Sequence, residues 1–331
     1  MTTKLTTVLT DLNKQAFIKH ILKQGDVYLV GGIVRDSFLE KENKDIDLLV
    51  TGIPTDVLIS LLMPFGKVDA VGKSFGVLKF MPLTMNLTEP IDIAIPRTEK
   101  LILGGTSHTD FEVIASHDIP VEVDLKRRDF TINAMAVKMD GTLIDPFGGM
   151  KDLATKTIKM VDDVAFTDDP LRMLRAVQFA SRLAFTIDQV TLSAITTKVH
   201  TIQHITPERV LIELEKMQQK GDAHYGITLL VMTGLYKQIF GVELDLDCLG
   251  ETDLSIRGDF FYKLLTPFED KAEAFLTLLK GDTDTAKCLR ALQAGENGDY
   301  STITMCRLVA FKMNKISEQS MVTEIMHAQL T

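Results

Sequence analysis

The 331 residues are 45% apolar and 24% charged, with a net charge of −9 and a sequence pI near 5.3. That is the composition of a globular chain, and at roughly 150 residues per domain it leads to the expectation of two domains or more. It argues against a strongly cationic, general nucleic-acid binder and, with no apolar run near the ~20 residues that span a bilayer, against a membrane helix; Cys248, Cys288 and Cys306, odd in number and far apart, fit a reducing cytosol and offer no zinc pattern.

The opening MTTKLTTVLTDLNKQ lacks the apolar core of a signal peptide, so the expected setting is cytoplasmic, with no membrane contact. Residues 1–24 suit a helix with Leu12, Phe17, Ile21 and Leu22 as its stripe. Residues 27–30 are an apolar run of strand length. Gly31 and Gly32 follow, then a short helical stretch at 33–39, a charged turn at 40–44 and a second strand at 45–50. A helix is expected at 55–63 and strands at 67–71, 76–80 and 91–95. In PIDIAIP (90–96) every second residue is isoleucine, which leaves Asp92 on the opposite face of a half-buried strand.

Residues 97–120 show no clear period and read as a long loop, of the kind that is usually functional. The segment 126–137 begins with charge and continues as an apolar helix or strand. Gly141 and the turn DPFGG (145–149) close the first domain near 148. From Asp168 the pattern is helical: Pro170 suits a first turn, and Leu171, Leu174, Val177 and Leu183 form a stripe. Thr206 and Pro207 open another helix with Val210, Leu211, Leu214 and Met217 apolar and Gly221 as its stop. Residues 241–300 hold 13 acidic and 6 basic side chains, whereas 126–182 hold 10 basic and 8 acidic, so the acidity is mostly C-terminal. A modest basic surface elsewhere is compatible with an RNA partner.

Asp45 and Asp47 carry the first chemical signal. At i and i+2 of a strand their carboxylates would share a face, and like charges that close call for a cation between them. A hard, oxygen-seeking ion such as Mg²⁺ suits this pair. Asp92, on a neighbouring strand, would complete a three-carboxylate cluster for two ions acting on a phosphoryl group. Gly31 and Gly32 offer backbone amides to phosphate, with Arg35 one turn further on; three glycines at dinucleotide spacing are missing. GKS (72–74) resembles the end of a P-loop, but Gly66 is one residue too far upstream. Arg127 and Arg128 suit a triphosphate, and Asn133 a ribose hydroxyl. Asp169 and Arg172, three apart, would present an acceptor beside a donor on one helical face. Such a pair matches the amino group and ring nitrogen of cytosine or adenine, and mismatches uracil and guanine. The bland alternative is a surface ion pair.

In their order, GGIVRD (31–36), DID (45–47), RRDFTINA (127–134) and DDPLR (168–172) resemble the successive motifs of the class II tRNA nucleotidyltransferases, the family of CCA-adding enzymes and bacterial poly(A) polymerases. The resemblance implies an α+β protein: a polymerase-β-type nucleotidyltransferase head with a mixed β-sheet at 1–148, an all-helical neck with base recognition at 149–220, and a helical, tRNA-binding body and tail at 221–331. It implies that Asp45 and Asp47 hold Mg²⁺; with Asp92, read from the strand alternation, they are the expected catalytic ligands for two ions. Gly31, Gly32, Arg35, Arg127, Arg128, Asp129, Asn133 and Arg175 would bind the nucleotide, and Asp169 and Arg172 would read its base. TPERVLIE (206–213) resembles the neck motif that braces the base-reading helix. DPFGG and NAMA (133–136) look more like the CCA-adding branch. The implied activity is addition of C and A to tRNA 3′ ends from CTP and ATP, with no obligate protein partner. CC-only, A-only or poly(A) addition is the near alternative, and an inactive tRNA-binding protein the distant one. The sequence departs from the family pattern at Asp168, where Glu is usual, and at Gln178, where Arg is usual.

Overall fold

The computed structural model describes residues 2–71, 76–101, 111–250 and Leu254. The chain divides into two compact units, the first Met1–Ala165 and the second beginning at Phe166. The GKS tripeptide, part of the 97–120 segment and almost all of the acidic C-terminal region lie outside the described residues.

The first unit is built on a seven-stranded sheet. Its strands are β1 (Asp26–Val30), β2 (Asp47–Thr51), β3 (Gly66–Val71), β4 (Val77–Pro82), β5 (Ile91–Ala94), β8 (Ala136–Lys138) and β9 (Leu143–Ile144), in the order β3-β4-β5-β2-β1-β8-β9. Only β2 and β5 run parallel, in a register that sets Asp47 beside Asp92; the other neighbours are antiparallel. The expected mixed sheet is therefore present. Helices α1 (Thr3–Lys14), α2 (Ala16–Ile21), α3 (Gly32–Phe38) and α4 (Thr55–Leu62) accompany the first strands. The N-terminal stretch is two helices because Gln15 leaves helical geometry between them. Phe17 of α2 sits edge-on to Phe80 of β4, ring centroids 4.9 Å apart, both fully buried. Truncating either would cost about 3–5 kcal/mol.

The opposite sheet face packs on α5 (Val121–Lys126). Tyr28, Val30 and Leu49 meet Val121 and Leu125 there, with Ala134 and Ala136 filling in. Alternation along β2 puts Asp47 on the same face as Leu49, just beyond the apolar patch. The segment 97–120 is not one loop: Arg97–Leu101 (β6) and Phe111–Ala115 (β7) form an antiparallel hairpin. At its open end Arg97 and Thr98 are half-buried and Ile114 and Ala115 exposed, so no burial alternation marks this end in the sequence. Residues past 148 also belong to the first unit. In α6 (Gly149–Ala154), Asp152 accepts a 2.6 Å bond from Thr131, and Thr131 in turn bonds the backbone of Lys159.

The second unit is helical among its described residues, apart from the short extended segment Thr186–Ile187. Its helices are α7 (Ala165–Asp168), α8 (Leu171–Leu183), α9 (Gln189–Lys198), α10 (Pro207–Lys220), α11 (Ala223–Met232) and α12 (Leu235–Phe240). The expected stripe Val210, Leu211, Leu214 and Met217 of α10 is fully buried. Ser181 of α8 ties in the start of α11: its hydroxyl donates to the Asp222 carbonyl (2.7 Å), and the Asp222 amide donates back to its carbonyl (3.2 Å). No helix among the described residues is long and apolar enough to cross a membrane.

Candidate active site

Strand β2 begins at Asp47, so Asp45 lies in the preceding loop and not on the strand, contrary to the expectation of two carboxylates on one strand face. The carboxylate beside Asp47 is Asp92, its partner across the parallel β2–β5 pair. Burial pushes the Asp47 carboxyl up to about 6; Asp92 adds to that and Arg128 opposes it, with smaller effects from Asp45 and Lys79. Lys79, the partner of Asp92 across β4–β5, donates to Asp92 Oδ1 at 2.8 Å. Among the described residues no three His, Cys, Asp or Glu side chains are arranged to hold a metal ion. The expected cage of Asp45, Asp47 and Asp92 is therefore not closed. What stands there is a pair with an excess of negative charge, and an exposed third carboxylate in the loop.

Gly31 joins β1 to α3 with a positive φ of 75°. A Cβ at this position would lie 3.1 Å from Arg128 Nη1 and 3.4 Å from Asp47 Oδ2. The turn thus borders both the carboxylate and the guanidinium, and its positive φ favours glycine.

Behind it lies a buried chain of polar groups. Arg35 grips Asp36 with Nε and Nη2 (2.7 and 2.8 Å) and donates through Nη1 to Asn133 Oδ1 (2.6 Å). Asn133 Nδ2 donates to Asp129 Oδ1 (3.0 Å), which also accepts the Phe130 amide. On the other side Asn43 Nδ2 donates to Asp36 Oδ2 (2.8 Å), and Asn43 Oδ1 accepts the amide of Asp45 (2.9 Å). Arg35, Asp36, Asp129 and Asn133 are all buried. This corrects the expectation that Arg35 and Asn133 face a ligand: the guanidinium and both ends of the amide are engaged inside the protein. Arg35, Asn133 and Asp129 frame the glycine turn and the Asp45 loop.

Arg127 and Arg128 follow α5, and both return to Asp124 on it. Arg127 Nε and Nη2 meet Asp124 Oδ1 at 2.9 and 2.8 Å, and Arg128 Nη2 meets Oδ2 at 3.2 Å. Asp124 is fully buried and also accepts the backbone amide of Arg97, the first residue of β6. Arg128 Nη1 reaches the Asn133 carbonyl (3.4 Å), and its buried Nε has no partner. Asp124, Asn43 and Lys79 escaped the sequence reading. The signal for Asp124 was there: it precedes the two arginines by three and four residues, the spacing of facing side chains on a helix.

In the second unit Asp169 lies just ahead of α8, whereas Arg172 is in its first turn. Its carboxylate accepts the Leu171 amide (3.2 Å) and the Nη2 of Arg209 (2.8 Å), while its carbonyl accepts the Arg172 amide (3.0 Å). Arg209, from TPERVLIE on α10, is thus the group that fixes Asp169. Arg175 reaches Glu213 Oε1 (3.5 Å) and lies over the Phe179 ring, and Lys216 bonds the same oxygen (2.9 Å). Both Glu213 Oε2 and the Nε2 of Gln178 are buried without a partner.

The poly(A) polymerase head domain family matches residues 27–159, and the probable RNA and SrmB-binding site of polymerase A matches 184–245. The multifunctional CCA protein of Nitrosococcus oceani is 37% identical over 68% of this chain and 52% of its own length. The CCA-adding enzyme of Bacillus subtilis is 36% identical over 65% and 51%. The chain therefore spans about half the length of the curated relatives it matches. The solved structure of the Thermotoga maritima CCA-adding enzyme complexed with tRNA shares the fold, with a TM-score of 0.61 at 24% identity, over 100% of this chain and 83% of that one. With the head and RNA-binding matches falling in the same order as the motifs, the chain belongs to the family of the tRNA nucleotidyltransferases and poly(A) polymerases.

Proposed function

We propose that the chain is a template-independent nucleotidyltransferase that rebuilds the 3′-terminal CCA of tRNA from CTP and ATP. The observation that carries this is the buried, upward-shifted Asp47 with Asp92 across from it and Gly31 and Arg128 beside it. Asp47, a carboxylate that burial and a neighbouring like charge drive toward protonation, fits a divalent cation, which would relieve both costs. Two Mg²⁺ held by Asp47 and Asp45, with Asp92 alongside, would supply Lewis-acid activation of the attacking hydroxyl and of the leaving group. The terminal ribose 3′-oxygen of the tRNA bonds to the α-phosphorus, the bond to the bridging oxygen breaks, pyrophosphate leaves and the hydroxyl proton passes to water. Arg128 and Arg127, with the amides of Gly31 and Gly32, neutralise the triphosphate.

Base choice falls to Asp169 and Arg172. Asp169 accepts from the exocyclic amino group of cytosine or adenine, and Arg172 donates to N3 or N1. Uracil and guanine present the opposite polarity and leave both groups unmatched, which costs more than a missing contact. Arg209 holds the Asp169 carboxylate in place for this.

The test is a product ladder. The purified chain with Mg²⁺ and tRNA lacking its 3′ CCA is expected to add three nucleotides from CTP and ATP and to reject UTP and GTP. No extension would overturn the proposal; a halt after two C residues, or addition of A alone, would overturn the full CCA assignment.

A further inference from the structure

Asp124 is the most enclosed charge among the described residues of the first unit, and the chemistry above gives it no task. It touches neither the glycine turn nor the Asp47–Asp92 pair. Yet its two oxygens hold both arginines that follow α5. Its orientation is fixed from outside the arginine pair, because Oδ1 also accepts the backbone amide of Arg97 at 3.3 Å.

We propose that Asp124 is the positioning residue of the triphosphate site: it holds Arg127 and Arg128 in the one arrangement that presents Arg128 to Gly31 and Asp47. The inference rests on the reading that these arginines meet a triphosphate. Three observations support it. An arginine side chain is long and loses much rotamer freedom when a ligand immobilises it, and Asp124 removes that freedom before the ligand arrives. Arg128 spends only part of its donors: Nη2 goes to Asp124, Nη1 makes a long 3.4 Å bond, and Nε has no partner. Finally, its Nη1 lies 3.1 Å from where a Gly31 side chain would begin, so the guanidinium already borders the turn. A purely structural ion pair needs no such remainder, and buried pairs are weak contributors to stability.

The experiment compares binding of CTP, inorganic tripolyphosphate and cytidine to the full chain, for wild type, Asp124→Asn, Arg128→Gln and the double variant, together with KM for tRNA. Asp124→Asn is expected to weaken CTP and tripolyphosphate about tenfold, with cytidine binding and KM for tRNA unchanged. The double variant is expected to bind no worse than Arg128→Gln within about twofold, because Asp124 acts through that arginine. Wild-type tripolyphosphate affinity in Asp124→Asn, equal weakening of cytidine and CTP, or additive losses would each overturn the proposal. Should Asp124→Asn not fold, Asp124→Glu is expected to weaken tripolyphosphate but not cytidine, and equal weakening of both would overturn it. A wild-type chain that binds CTP but never extends tRNA would defeat the proposed function and leave the Asp124 assignment to the binding data.

Discussion

Asp124 and Asp47 sit in the same unit, and their surroundings differ in sign. Asp124 is fully buried and receives two guanidinium groups and a backbone amide. Asp47, less enclosed, has Asp92 beside it across the sheet, with Arg128 and Lys79 opposing that repulsion. A carboxylate matched by its own protein is scaffold. One left in excess is a site that needs a cation from outside, which is why unbalanced charge in a cleft points to function. Arg128 bonds Asp124 and borders the glycine turn, which Asp47 borders as well.

The largest expected effect falls on the unbalanced side. Asp47→Asn should lower nucleotide incorporation by about 10³-fold or more, while tRNA binding by gel shift stays within twofold. Residual activity near wild type would show that the excess charge there has no catalytic use. Next comes the frame. Arg35→Ala leaves Asp36 buried without its guanidinium, and should cost about 3–5 kcal/mol in urea unfolding; a loss below about 1 kcal/mol would mean that the network behind the turn is loose.

The same Asp47→Asn variant separates stability from activity. Asp47 is protonated more readily in the folded chain than in the unfolded one. Its stabilising contribution is therefore complete below the ordinary aspartate range near 4, and is lost as pH rises through about 6. In EDTA at pH 8 Asp47→Asn should be more stable than wild type by ~1–3 kcal/mol, and the curves should converge below about pH 4. A less stable variant at pH 8 would contradict the excess of negative charge. The smallest effect is expected in the second unit, where Asp169 and Arg209 form a partly exposed pair. Arg209→Gln should relax the preference for CTP over UTP about fivefold with little change in kcat, since such pairs are worth ~1 kcal/mol.

What was legible in the sequence followed from local rules. The strand–glycine–helix unit, the isoleucine alternation that isolates Asp92 and the α10 stripe all obey a period or a turn preference, and all three are present. Asp45 was misplaced because its loop is set by Asn43, whose contact with Asp36 leaves no period in the chain. Arg35 was read as facing a ligand because its partner Asn133 is 98 residues away, beyond any local pattern. Asp169 lies just ahead of α8, and Arg209, the group that holds it, comes from a different helix, a contact no local pattern marks. Asp124 has a readable spacing, three and four residues ahead of the arginines it holds.

The contrast between a balanced and an unbalanced carboxylate is tested most directly by metal binding itself. Mn²⁺, an EPR-visible substitute for Mg²⁺, is titrated into the protein with CTP present, for wild type, Asp47→Asn and Asp124→Asn. The expected result is that Asp47→Asn loses the protein-bound Mn²⁺ signal, whereas Asp124→Asn recovers it once CTP is raised about tenfold. Unchanged Mn²⁺ binding in Asp47→Asn would contradict the assignment of the Asp47–Asp92 pair as the cation site.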